Sequence, residues 1–351
     1  MKNRRCPRCV VVVAAPSRFC PTDGTPLVEV SPTGEAGAAT EETAATVTGD
    51  AERGPGGVGL TGQMVDGRYR VSRRLGEGGM AYVYLAEELE TGAQVAVKIL
   101  TPRLSRDPGS VERLRREAAI AMRLDHPNVC RILRVGETAD KLMYLVMPYL
   151  AGEPLSEAEN RRGPFPVEEG IPLLVQICRG LQHAHALQIV HRDLKPENIM
   201  LVPDEASPFR RRAVVMDFGL AKERRAGPEV VKLTQTGIVL GTPEFMSPEQ
   251  IRGKPLDGRS DVYAVGVLAF EMFTGKLPFE GRNPQEAMLA RLKAQPLRLR
   301  AVREDLPPRL EAVIMKALSV LPEDRYPTMM DMAAAFESVG GTGVFARLFG
   351  R

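Results

Sequence analysis

The chain contains no apolar run able to cross a membrane. Runs such as Val10 to Ala15 fall far short of the ~18–20 residues a span requires. The N-terminus carries Lys and Arg but neither an extended apolar core nor a small-residue cleavage site, so no secretory signal is read there. Charge of one sign is lacking too. The 47 Lys and Arg stand against 44 Asp and Glu, and a net charge of +3 in 351 residues is too small to argue for a nucleic-acid or membrane partner. The basic clusters Arg113–Arg116 and Arg210–Arg212 are short and read as solvated faces. Cysteine is scarce and odd in number, five in all, which argues against a disulfide framework. A soluble, cytoplasmic protein is expected.

Aromatic residues are missing from 31–62, where Gly, Ala, Thr, Glu and Pro dominate. Such a segment cannot bury enough apolar surface to offset its ordering entropy, so it reads as a linker. The expected organisation is a cysteine-bearing head over 1–28, a linker over 29–66, a globular domain over 67–338 and a tail over 339–351. Inside the domain, 69–150 reads mostly as strands with one amphipathic helix near 110–124. Helical patterns follow at 168–187, 261–274, 284–293, 309–318 and 328–337. Strand-rich then helix-rich implies an α+β protein of two lobes.

Three segments carry candidate chemistry. Leu75 to Tyr84 reads L-G-E-G-G-M-A-Y-V-Y, where glycines let a hairpin press its backbone N–H groups against phosphate oxygens. Val95-Ala96-Val97-Lys98-Ile99 alternates as a strand and puts Ala96 and Lys98 on one face. On the helix, Leu114, Glu117, Ala118, Ala121 and Leu124 share a stripe, so Glu117 points toward apolar surroundings and needs a cationic partner. Lys98 is the expected one. Downstream stand I-V-H-R-D-L-K-P-E-N-I-M-L (189–201) and V-V-M-D-F-G-L (214–220).

This ordered set resembles the eukaryotic-type protein kinases, and G-E-G-G-M with T-Q-T before G-T-P-E-F-M-S-P-E resembles their bacterial serine/threonine branch. The resemblance covers roughly 69–337. It implies a two-lobed kinase fold, with a β-rich N-lobe and a helical C-lobe, that transfers the γ-phosphate of Mg-ATP to Ser or Thr hydroxyls of protein substrates; Mn2+ is an alternative to Mg2+. Asp193 would accept or orient the hydroxyl proton, and Lys195 would neutralise charge on the γ-phosphate. Lys98, positioned by Glu117, would hold the α- and β-phosphates, while Asn198 and Asp217 supply oxygen ligands to Mg2+. The nucleotide would touch Leu75, Gly76, Glu77, Gly78, Gly79, Met80, Ala81, Tyr82, Val83 and Ala96, with the hinge backbone at Pro148 and Leu150 reading adenine beside Met147 and Tyr149. Thr242 would contact Asp193 and Lys195. His191 and Phe218 read as architectural, Glu249 and Arg325 as a buried ion pair, and Asp261 as a helix cap that also holds the catalytic-loop backbone. Segment 202–212 would loop out. Intact Lys98, Asp193, Asn198 and Asp217 weigh against a non-catalytic pseudokinase. A small-molecule phosphotransferase would leave the T-Q-T, G-T-P-E and S-P-E segments unexplained.

The resemblance also implies a switch. Thr234, Thr236 or both would be autophosphorylated, in a homodimer, and the phosphate received by Arg192; ordinary polar residues of a surface loop are the alternative. Separately, Cys6-Pro-Arg-Cys9 and Cys20-Pro-Thr-Asp23 resemble the two knuckles of a small zinc ribbon, with Asp23 as fourth ligand to Zn2+. A tail with reactive thiols is the alternative. Cys130 and Cys178 read as small buried hydrophobes.

Overall fold

The computed structural model describes residues 3–5, 12–14, 28–29, 59–78, 81–105, 108–218, 243–279, 281, 284–293 and 296–339. The chain divides into two compact units, Met1–Pro55 and Gly56–Arg351. In the first, β1 (Asn3–Arg5), β2 (Val12–Ala14) and β3 (Val28–Glu29) form an antiparallel sheet of order β2-β1-β3. Arg5 pairs with both Val12 and Val28.

The second unit opens with a six-stranded antiparallel sheet. Its strands are β4 (Met64–Val65), β5 (Tyr69–Gly78), β6 (Ala81–Glu88), β7 (Gln94–Leu100), β8 (Arg134–Glu137) and β9 (Met143–Pro148), in the order β4-β5-β6-β7-β9-β8. Strand pairing therefore begins at Met64, ahead of the expected domain start at 67. Gly62 N–H also donates to Val71 O at 2.9 Å, drawing the preceding turn into the sheet. The period of two along β7 sorts its side chains. Val95, Val97 and Ile99 enter a core with Tyr69, Val71, Tyr84 and Tyr144. Leu100 turns to the other face and meets Leu114 and Met143. Leu114 belongs to α2 (Pro108–Ala121), which follows the short α1 (Pro102–Ser105), so the stripe read from the sequence docks the helix on the Lys98 face.

The second lobe is helical, with a small sheet of β10 (Glu153–Pro154), β11 (Ile199–Pro203) and β12 (Arg211–Val215). The 202–212 segment is thus partly strand, and only 204–210 connects the two. That connection closes on itself through Asp204 N–H to Arg210 O at 3.0 Å. The helices are α3 (Leu155–Arg162), α4 (Val167–Ala186), α5 (Pro248–Ile251), α6 (Gly258–Thr274), α7 (Pro284–Lys293), α8 (Leu299–Val302), α9 (Pro308–Ala317) and α10 (Met329–Val339).

Helix α6 is the base of the lobe. All of its residues except Gly258, Arg259 and Glu271 are buried, as expected for a helix apolar all round. It starts one turn earlier than the sequence suggests, and its cap is Asp257, whose Oδ1 accepts from Arg259 N–H at 2.8 Å. Asp261 lies inside the first turn and is therefore not the cap. Gly180 on α4 permits a close crossing, because a Cβ there would stand 2.7 Å from the carbonyl oxygen of Asn128. That contact sets α4 against the 125–129 connector, which ties the first lobe to β12 through Val215 N–H to Asn128 O and Cys130 N–H to Val215 O, both at 2.9 Å.

Candidate active site

The upper wall of the cleft is the β5–β6 hairpin. Gly76 pairs with Val83, Glu77 with Tyr82 and Gly78 with Ala81. A Cβ built on Gly76 would meet nothing within 4 Å, and one on Gly78 would meet only Ala81 O at 3.9 Å. Neither glycine has positive φ, so packing and backbone conformation do not demand them here. The space they leave suits a group approaching from the cleft. Leu75 is half-buried at the start of this stretch.

Behind the hairpin, Ala96 pairs with Met147 and Lys98 with Leu145. β9 then runs into the half-buried stretch from Met147 to Leu150, where Tyr149 N–H donates to Gln94 O at 3.3 Å. Pro148 and Leu150 flank this contact, and Pro148 lacks a donor of its own. Lys98 Nζ lies 2.6 Å from Asp217 Oδ1, joining residues 119 apart in sequence. Lys98 thus contacts Asp217, a residue expected to ligate the metal. Glu117, its expected partner, is half-buried on α2 between buried Leu114 and Ala118.

The floor is the loop before β11. Asn198 Nδ2 donates to Asp193 O at 2.8 Å and approaches Asp193 Oδ2 at 3.3 Å. With the amide NH2 engaged there, its oxygen is the end offered to a cation. His191 Nε2 lies 2.8 Å from Met216 O. A carbonyl can only accept, so Nε2 carries the hydrogen and Nδ1 accepts from Asp193 N–H at 3.3 Å. The His191 and Phe218 rings pack 4.9 Å apart. Lys195 is half-buried and extended, directly before the turn Pro196–Asn198.

Two residues here, Arg192 and Asp217, have φ of +64° and +55°. Each such non-glycine costs on the order of 1–3 kcal/mol and persists only when its surroundings enforce it. Asp261 supplies the enforcement at Arg192. Its Oδ1 accepts from Arg192 N–H at 3.0 Å, and its Oδ2 from His191 N–H at 2.8 Å and His185 Nε2 at 2.7 Å. Burial pushes the Asp261 carboxyl up, but these donors outweigh it and hold the group below the usual carboxylate range. Next to this, Arg325 forms a two-pronged pair with Glu249, at 2.7 and 2.8 Å, and Ser260 Oγ donates to Glu249 Oε1 at 2.7 Å. Burial pushes Glu249 up, and Arg325 and Ser260 bring it below its ordinary value.

Burial pushes the Cys130 thiol to about 12, with Asp217 adding in the same direction. The Cys178 thiol, wholly buried, also stands at about 12. Both remain protonated small hydrophobes. Gly79, Met80, Thr234, Thr236, Thr242, Cys6, Cys9, Cys20 and Asp23 lie outside the described residues. Among the described residues no His, Cys, Asp or Glu cluster suited to a metal occurs, and no helix is long and apolar enough to cross a membrane.

One feature had no sequence signal. A cavity of about 640 Å³ opens beside Pro196, between α3, the end of α6 and Glu244-Phe245. Glu159, Glu197, Glu244 and Glu271 line it, along with Lys276. Glu159 Oε1, Glu244 Oε2 and Glu271 Oε2 are buried without a hydrogen-bond partner among the described residues. Burial first, then Glu271 and Glu197, push Glu159 up to about 8. Burial, then Glu197 and Glu244, push Glu271 up to about 7. Only the fold brings these carboxylates together.

Comparison with known proteins bears on this arrangement. Residues 69–336 match the family described as protein kinase domain. The chain is 38% identical over 270 residues to serine/threonine-protein kinase PknB of Mycobacterium leprae, covering 76% of this chain and 42% of that protein. It is 38% identical over 275 residues to serine/threonine-protein kinase PrkC of Bacillus subtilis, covering 78% and 41%. The chain thus spans less than half the length of these relatives. In structure it is similar to the Mycobacterium tuberculosis PknI kinase domain, with TM-score 0.62, 28% identity, and coverage of 80% of this chain and 98% of that one.

The cavity yields a pH-dependent expectation. Glu159 has its folded pKa raised from 4.5 to about 8, so its protonated form favours folding and stability falls as pH rises through that window. Glu159→Gln imitates the protonated side chain. Its melting temperature should exceed that of the wild type at pH 8–9 and converge with it near pH 5. Equal melting temperatures at pH 9 would contradict the buried placement.

Proposed function

The chain belongs to the protein kinase domain family, and from that premise we propose that it transfers the γ-phosphate of Mg-ATP to serine or threonine hydroxyls of proteins. The observation that carries the reading is the meeting of Lys98, of Asp193 with Asn198, and of Asp217, from three separate segments around one cleft. The acceptor oxygen attacks the γ-phosphorus, the bond to the bridging oxygen of ADP breaks, and the hydroxyl proton passes toward Asp193. Lys195 stands two residues away to balance charge on the transferring group. Lys98 grips the α- and β-phosphates, with Glu117 on α2 as its second carboxylate. The hairpin from Leu75 to Val83 supplies backbone donors, and the backbone at Pro148 and Leu150 takes adenine.

The donor set fits Mg2+: an amide oxygen at Asn198 and a carboxylate at Asp217, both hard ligands. When bound, the cation would neutralise phosphate charge, and the same oxygen donors suit Mn2+. Serine and threonine as acceptors are supported by Lys195 after Asp193-Leu194 and by the names of the relatives.

Two finer readings follow. Thr234 and Thr236, phosphorylated by a second copy of the chain, would place a doubly charged group where Arg192 can meet it, with Thr242 closing over Asp193 and Lys195. Separately, the first unit would hold zinc through Cys6, Cys9, Cys20 and Asp23. What supports this is the small sheet. Because Arg5 pairs with both Val12 and Val28, the connection carrying Cys6 and Cys9 leaves the sheet, and the one carrying Cys20 and Asp23 re-enters it, at one end. Three thiolates and a carboxylate meet the needs of tetrahedral Zn2+.

Asp193→Asn should lower peptide phosphorylation at least ~100-fold while ATP still binds, since Asp193 faces the hydroxyl. Lys98→Met should cripple transfer through lost phosphate positioning. Near wild-type turnover in Asp193→Asn would refute the mechanism and favour another base. The double variant Thr234→Ala/Thr236→Ala should slow peptide phosphorylation several-fold with an unchanged melting temperature; a matching rate removes the switch. Metal analysis of the reduced full chain should find about one zinc, lost in Cys6→Ser/Cys9→Ser. A zinc-free wild type would leave the head without its metal site.

A further inference from the structure

Helix α5 is only four residues long, yet one of its side chains reaches the catalytic loop. Ser247 caps it, and Gln250 completes a capping box. Gln250 Oε1 accepts from Ser247 N–H at 2.9 Å, and Ser247 Oγ accepts from Gln250 N–H at 3.4 Å. The other end of the same amide donates, through Nε2, to the carbonyl oxygen of Arg192 at 2.8 Å. The amide's orientation is settled by chemistry, since a flip would set two donors together at Ser247 and two acceptors together at Arg192.

Arg192 is the residue before Asp193, and its φ of +64° is one that side chains rarely adopt. Its N–H is held from below by Asp261 Oδ1 at 3.0 Å. Its carbonyl is held by Gln250. Release of the carbonyl would free the Arg192–Asp193 peptide to rotate, and that rotation moves the carboxylate of Asp193 relative to an acceptor hydroxyl. Of the next anchors, Asn198 on Asp193 O lies beyond that peptide, and the one on the peptide itself, Asp193 N–H to His191 Nδ1, is long at 3.3 Å, so the 2.8 Å bond from Gln250 is its shorter restraint.

We propose that Gln250 is a positioning residue for phosphoryl transfer, acting on Asp193 through the Arg192 carbonyl; this rests on Asp193 being the group that faces the acceptor. Gln250 follows Glu249 directly, and Glu249 is locked to Arg325. The side-chain amide therefore links the segment leading out of Glu244-Phe245 to the catalytic base, and order in one is felt in the other. A purely structural role would end at the capping box.

Gln250→Glu separates the two roles. A glutamate keeps the acceptor for Ser247 N–H and so keeps the box, but it turns an oxygen toward the Arg192 carbonyl. Single-turnover phosphorylation of a serine peptide by the full chain should be slowed roughly tenfold or more at pH 8, with the KM for ATP and the melting temperature little changed. The deficit relative to wild type should shrink toward pH 6, where a protonated carboxyl again offers a donor. Gln250→Ala, which loses both contacts, should be slow at every pH. A Gln250→Glu rate equal to wild type from pH 6 to 8.5 overturns the inference. So does a pH-independent deficit accompanied by a fall in melting temperature. An inactive wild type, or full turnover in Asp193→Asn, instead fails the reading on which the inference rests, and the inference falls with it.

Discussion

A buried carboxylate with nowhere to go governs this structure. Asp261 is 1% exposed, and an ionised group so placed is tolerated only when donors replace its water. Those donors are the His185 ring and the backbone N–H groups of His191 and Arg192, so the cost of burying the charge is offset only by one conformation of the catalytic loop. Glu249 repeats the arrangement one turn away with Arg325 and Ser260. Asp261 stands on α6, and Glu249 on α5 is tied to that helix through Ser260, so both rest on an element buried along most of its length. Removing one member of such a buried pair costs ~3–5 kcal/mol, against ~0–1 kcal/mol for a solvent-facing pair such as Arg116 with Glu112. The few internal charges therefore outweigh the many external ones in deciding where the site residues stand.

The cleft has a different logic. Its chemistry is divided between lobes, and the divided parts are joined by a Lys98–Asp217 pair in which Lys98 is 23% and Asp217 39% exposed. In that partly solvated setting the attraction is moderate, which suits groups that must exchange partners when phosphates arrive. The connector from Asp125 to Cys130 carries the more permanent tie, because its hydrogen bonds to Val215 are backbone to backbone.

What the sequence discloses and what it hides divide along physical lines. Periodicity reports which face a residue occupies, so α4 and α9 lie within a residue or two of their expected spans, and Lys98 shares its face with Ala96. It does not report what stands opposite. That Lys98 meets Asp217, that Asp257 rather than Asp261 caps α6, and that strand pairing starts at Met64 all depend on partners far away in the chain or on competition between neighbouring caps. The Glu249–Arg325 pair was legible only because the family resemblance already joined residues 76 apart. The four cavity glutamates had no such guide. Glu159 looks like an ordinary solvated helix residue until α3 is laid against the end of α6, and only then does burial lift its pKa.

Backbone strain shows where the fold has been made to serve a site. Among the described residues six non-glycine residues have positive φ. Asp66, Lys141 and Arg210 lie in turns or connections between strands, and Gln188 follows the C-terminus of α4 by two residues; at such places the left-handed conformation is an ordinary way to reverse or end a segment. Arg192 and Asp217 have no such excuse, since neither ends a helix or turns a hairpin. Each is instead held by contacts from elsewhere: Arg192 between Asp261 and Gln250, Asp217 by Lys98. Strain of this kind relaxes unless several independent contacts oppose it. The same contacts that oppose it aim two carboxylates, at Asp193 and Asp217, into one cleft. The holding groups sit on α6, α5 and β7, so three separately packed elements must all be in place before the carboxylates converge, and loosening any one of them releases strain in the direction that disperses the site.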